Sequence, residues 1–350
     1  MPVRPAAKLG FALLAAIAGG PAPIAAGDGQ TVALEDFEKR IAATPDDLEL
    51  RSRALEAYFL ERSPDVRAAR ARHALWVIAN EPRAEVAGSP YAAFHRILDP
   101  SHYEQARGLW LAHVEKEPLD PELHWNAARF FFTEESDVAA RFLKQGMKLE
   151  PTNPRWKEQL AHLMTLAPSV AGSESAGGAS PLSLRESALA EREGEDGRYY
   201  ALDEIAEAAL KAGDEVKARA YAEELLALSE RLPRDWHYGN AVHDGNRILG
   251  HLALRAGDVE AAKAFLLKAG ATPGSPQLNS FGPELTLASD LLAKGQRDAV
   301  IQYLRMCGSF WKDRGDALDR WIAEIHAGGT PELVRFLALR SEAATVKSVR

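Results

Sequence analysis

Cysteine is nearly missing from this chain. Cys307 stands alone among 350 residues, so no intramolecular disulfide, cysteine-based zinc site or haem-attachment motif can form. A single cysteine in such a setting reads as a small buried residue, expected to be inert. An excess of positive charge is also missing: 42 Lys and Arg face 50 Asp and Glu, a net charge of −8. That balance speaks against nucleic acid, which needs a basic footprint to neutralise phosphates. There is no Gly-x-Ser-x-Gly elbow, no phosphate-binding loop and no dinucleotide fingerprint. The alternating strand pattern on which such motifs would sit is absent too. No cofactor is called for, and no catalytic residue stands out.

Long apolar runs are confined to the beginning. Arg4 and Lys8 precede the apolar stretch Leu9–Ile17, the breakers Gly19, Gly20 and Pro21 follow, and Ala25 and Ala26 supply small residues. This is the order of a secretory signal: charged, apolar, then small. Residues 1–26 are therefore expected to be a signal peptide, making the protein periplasmic or secreted, with no membrane insertion after cleavage. The alternative is an uncleaved N-terminal helix serving as an anchor. The apolar core is short against the ~20 residues that a spanning helix needs.

What is present is helical periodicity with regular punctuation. Pro45, Pro82, Pro118 and Pro151 each close an apolar helical pattern, at spacings of 37, 36 and 33 residues. Proline stops helices because it lacks the amide hydrogen and its ring clashes with the preceding turn. Within residues 120–151, Leu123, Ala127 and Phe130 share one helix face, Thr133 to Ser136 make a turn, and Ala139, Leu143 and Gly146 share the face of a second helix. The C-terminal half is punctuated by Ala212-Gly213-Asp214, Ala256-Gly257-Asp258 and Lys294-Gly295-Gln296. Glycine suits a left-handed helix end, and the polar residue after it can cap the next helix. Ala167 to Ser183, rich in Pro, Gly, Ser and Ala, reads as a flexible linker. Ala317 to His326 and Pro331 to Ala344 read as terminal helices.

These patterns predict an all-α chain: helical arrays over residues 31–166 and 184–350, joined by the linker 167–183. The order small residue, aromatic, turn, small residue, large apolar residue, small residue, proline resembles the tetratricopeptide repeat. The segment from Asp235 to Phe281 is similar to one recurring in exported bacterial members of that family. The resemblance implies an α-solenoid of stacked antiparallel helix pairs, either in two arms or as one continuous array. It also implies that the first helix of each pair lines a concave groove, and that the function is to hold a protein or peptide as a non-enzymatic scaffold in the cell envelope.

The spacing of the repeats marks a place for that partner. Gly213 to Gly257 is 44 residues and Gly257 to Gly295 is 38, against about 34 in a plain repeat. The extra residues fall in two successive loops, 231–239 and 270–283, which stacking makes neighbours. The first carries Trp236, His237 and Tyr238; the second carries Gln277, Asn279 and Phe281. The helix between them, over 240–255, bears His243, Arg247 and His251 at steps of four, which places them on one stripe. These nine residues are the expected partner-binding set, with the polar stripe expected to be accessible. A second reading makes His237, His243, Asp244 and His251 a metal-binding or enzymatic cluster. The spacing disfavours it, because His243 and His251 lie two turns apart and one ion cannot bridge them without help.

Overall fold

The structure, a computed structural model, describes residues 34–61, 63–171, 178–192, 194–312 and 315–333. The expected signal peptide, the middle of the expected linker and most of the last expected helix lie outside these. Among the described residues the chain is all-helical, with no strand. It divides into two compact units between Ala188 and Leu189.

In the N-terminal unit the helices are α1 (Leu34–Ala43), α2 (Leu48–Phe59), α3 (Pro64–Asn80), α4 (Pro100–Lys116), α5 (Pro121–Phe131), α6 (Ser136–Leu149), α7 (Arg155–Leu166) and α8 (Pro168–Ala171). The four punctuating prolines sit two residues beyond the ends of α1, α3, α4 and α6. Starts are set as the sequence suggests. Ser63 accepts from the Val66 amide and Asp120 from the Leu123 amide, each with proline in the first turn. Each helix packs on the next in order, from α1 through α8. Tyr103, Trp110, Leu123, Phe131, Leu143 and Trp156 are fully buried. Gly146 is where two helices need no side chain between them: a β-carbon there would lie 2.2 Å from the Trp156 ring. The start of the expected linker belongs to this packing. Pro168–Ala171 is helical and Val170 is wholly buried against it.

Next come α9 (Pro181–Glu191), within which the two units divide, and α10 (Gly194–Tyr199). The C-terminal unit continues with α11 (Leu202–Ala212), α12 (Glu215–Arg231), α13 (Tyr238–Arg255), α14 (Val259–Gly270), α15 (Pro276–Phe281), α16 (Thr286–Ala293), α17 (Arg297–Phe310) and α18 (Ala317–His326). Gly213, Gly257 and Gly295 take φ of 77°, 82° and 79°, a region that side chains with a β-carbon rarely enter. Asp214 and Asp258 then cap the following helices through the amides of Lys217 and Ala261. The short links turn the chain back, so α11–α12, α13–α14 and α16–α17 form three successive pairs. Their first helices also touch in sequence, α11 on α13 and α13 on α16. Among the described residues no helix is long and apolar enough to cross a membrane.

Candidate functional site

The two long loops meet, as their spacing predicts. Thr272 Oγ1 donates to the Gly239 carbonyl at 2.8 Å, and Ser275 donates to the Asn240 side chain. A β-carbon on Gly239 would lie 1.9 Å from the Gly274 carbonyl oxygen, so the loops touch backbone to backbone. Their side chains are placed less simply. Trp236 is 53% exposed and stacks on Tyr200, with centroids 5.4 Å apart and planes at 20°. Tyr238 and Phe281 are half-buried. Asn279 is exposed, and its Oδ1 accepts the Lys312 amide at 3.0 Å, tying the second loop to the end of α17. Gln277 Oε1 is out of contact with water and accepts no hydrogen bond.

The histidine next to the tryptophan turns inward. His237 is buried, its ring 5.1 Å from that of Tyr199, and neither ring nitrogen has a hydrogen-bond partner. Burial lowers its pKa against the pull of nearby acidic groups. It cannot meet a partner at the surface, which corrects its expected place in the binding set.

The polar stripe on α13 is the larger correction. His243 is wholly buried, with Nδ1 donating to Asp244 Oδ1 at 3.0 Å and Nε2 paired with the Tyr303 hydroxyl at 3.1 Å. Arg247 is 6% exposed and meets three carboxylates: Glu207 at 2.7 Å, Glu284 at 3.1 Å and Asp244 at 3.4 Å. Those acids come from α11, from the loop before α16 and from α13 itself. An unpaired buried guanidinium would be costly, so burial and pairing arrive together. Burial alone would lower the Arg247 pKa, but Glu207, Asp244 and Glu284 outweigh it and push it up. Burial alone would raise the Asp244 carboxyl; the His243 hydrogen bond and the Arg247 charge instead hold it at about 2. Glu207 is likewise held low, Arg247 and Lys211 prevailing over burial. His251, at the end of the stripe, donates through Nε2 to Thr286 Oγ1 at 3.0 Å, and its Nδ1 lies 3.6 Å from Asp290. Burial and then the Arg247 charge lower its pKa.

Some of these groups, Arg247 and His251 with Glu207, Thr286 and Asp290, border a cleft of about 350 Å³. From α11 it is lined by Glu207, Leu210 and Lys211; from α13 by Arg247, His251, Leu254 and Arg255. Thr286 and Asp290 close the α16 side. Of the nine expected partner-binding residues, the cleft therefore takes two, Arg247 and His251. Glu207, Lys211, Thr286 and Asp290 went unnoticed in the sequence. One signal was there to be read: Lys211 and Arg255 both stand two residues before a turn glycine, at equivalent points of successive pairs. Among the described residues no group of three or more His, Cys, Asp or Glu is arranged to hold a metal ion.

Comparison with known proteins finds no matching family model and no curated protein that matches the chain.

Proposed function

We propose that the protein is a non-enzymatic, tetratricopeptide-like scaffold of the cell envelope whose C-terminal unit holds a protein or peptide segment across α11, α13 and α16. One observation carries the reading: the first helices of three successive pairs, and no second helix, line a single cleft. In a stacked array of hairpins the first helices form one continuous face, and such a face is where an extended segment can lie. Close helix approach supports the array. A β-carbon on Gly250 of α13 would lie 2.3 Å from Leu287 of α16. The chemistry of the lining also suits recognition rather than reaction. The strongest charges, Arg247 and Asp244, are committed to each other and to their neighbours, while Lys211, Arg255 and Asp290 stay at the rim. The exposed Trp236 is an aromatic group of the kind that anchors interfaces, beyond the end of α12.

The test is binding of the full chain to an immobilised array of blocked peptides of varied sequence. Retention of a subset, weakened by Arg255→Glu or Asp290→Lys, is the expected result. Uniform failure to retain any peptide, or retention indifferent to both substitutions, overturns the proposal.

A further inference from the structure

Glu207, which lines the α11 side beside Lys211, is held by Arg247 at 2.7 Å; the exposed charges left at the rim, Lys211, Arg255 and Asp290, are separated by sign. On the α11 side stand Lys211 and Arg255; Arg255 leans there because its guanidinium donates to the Leu210 carbonyl at 3.1 Å. On the α16 side stands Asp290, 56% exposed, with His251 Nδ1 3.6 Å away. The middle is closed to charge exchange, since Arg247 is saturated by its three carboxylates. The basic side is loosely held. Lys211 pairs with Glu207 at 3.2 Å and Arg255 with Glu215 at 3.8 Å, and exposed pairs of this kind are weak enough to exchange partners.

We infer that the cleft selects a dipolar peptide segment, one acidic residue meeting Lys211 and Arg255 and one basic residue meeting Asp290. The inference rests on the binding reading above and adds to it a charge pattern. Leu210 and Leu254 also line the cleft, so the residues that accompany the ligand's charges are small or apolar. A segment with two like charges leaves one rim facing its own sign.

The experiment uses the full chain and an array of blocked alanine-based peptides carrying every combination of Glu, Lys and Gln at two positions, with spacing varied. Peptides with one Glu and one Lys should outbind the Gln–Gln peptides by roughly tenfold, because each partly screened pair contributes a few-fold. Asp290→Lys should move the preference to peptides with two Glu. Lys211→Glu combined with Arg255→Glu should move it to peptides with two Lys. All three positions are exposed enough to be exchanged without disturbing the core. A lost fold cannot produce a changed preference, so the switch separates recognition from stability. Binding that ignores charge pattern, or a preference unchanged by substitutions that still weaken retention, overturns the inference and leaves the binding reading standing. Binding of no peptide at all overturns both.

Discussion

Arg51 and Arg247 are buried to the same degree, 7% and 6% exposed, yet the two units treat them in opposite ways. Arg51, on α2 of the N-terminal unit, touches no carboxylate among the described residues. Its Nε and Nη2 donate to the Pro45 carbonyl at 2.8 and 2.6 Å, its Nη1 donates to His73 Nδ1 at 2.7 Å, and its guanidinium lies 3.9 Å from the centre of the Trp76 ring. Burial pushes its pKa down, against the pull of Asp46 and Glu38. Arg247 meets three carboxylates, and its pKa goes up. Arg51 fastens a turn six residues away to a neighbouring helix. Arg247 joins elements about 40 residues apart on either side of it, and the gap they leave is the cleft. A buried cation held by carbonyls and rings is a local clasp. A buried cation held by acids from three elements fixes how successive helix pairs meet.

The comparison predicts unequal costs. Arg247→Met should destabilise the C-terminal unit by about 3–5 kcal/mol, because three carboxylates lose their common counter-charge in a buried place. Arg51→Met should cost about 1–3 kcal/mol, leaving only a carbonyl and an imidazole without donors. Urea unfolding, with amide exchange in α13 and α2 assigning the loss to a unit, measures both. Equal losses would break the contrast.

Gly239→Ala sharpens it from the side of the loops. The β-carbon would strike the Gly274 backbone, and overpacking of this kind costs about 1–3 kcal/mol. Wild-type stability in this variant would mean that the two loops part without penalty.

Acid gives a third comparison. The Asp244 carboxyl is held at about 2, from an ordinary 3.8. A lowered folded-state pKa means that the contribution is present in full above pH 3.8 and vanishes as the pH falls to about 2. The loss is about 2 kcal/mol, at ~1.4 kcal/mol per unit. Glu38, the acid of the Arg51 neighbourhood, is also held low, with His73, Tyr58 and Arg72 prevailing over burial. It is 39% exposed, so solvent screening makes its share smaller. Between pH 4.5 and 2.5 amide exchange, corrected for its intrinsic pH dependence, should show more protection lost in α13 than in α2; a larger loss in α2 would contradict the assignment.

Two smaller effects complete the set. Trp236→Ala should lower stability by about 1 kcal/mol or less, since an exposed stacked ring loses little beyond its contact with Tyr200. A loss above about 3 kcal/mol would instead mark the tryptophan as a core residue. Cys307 is buried, and burial pushes its thiol up to about 12, so a bulky thiol reagent should leave the native chain unlabelled over hours at neutral pH. Rapid labelling would show that α17 opens.

The division between legible and hidden features follows range along the chain. Helix ends were legible because their causes are local: proline after α1, α3, α4 and α6, glycine then aspartate at Gly213-Asp214 and Gly257-Asp258. The meeting of the two loops was legible from repeat spacing. The fate of the α13 stripe was not. Histidine and arginine at steps of four look like a solvated face, and what buries them lies far off in sequence: Glu207 and Glu284 for Arg247, Tyr303 for His243. A polar stripe shows that a face is polar without showing whether its partners are water or protein. Trp236, named in the sequence as a binding residue, does lie with half its surface in solvent, stacked on Tyr200.

The most direct test of the account is amide hydrogen exchange on the full chain, alone and saturated with the best-retained blocked peptide of one Glu and one Lys. The account predicts new protection in α11, α13 and α16, with α12 and α14 unchanged. Protection confined to the second helices or to the N-terminal unit would contradict it.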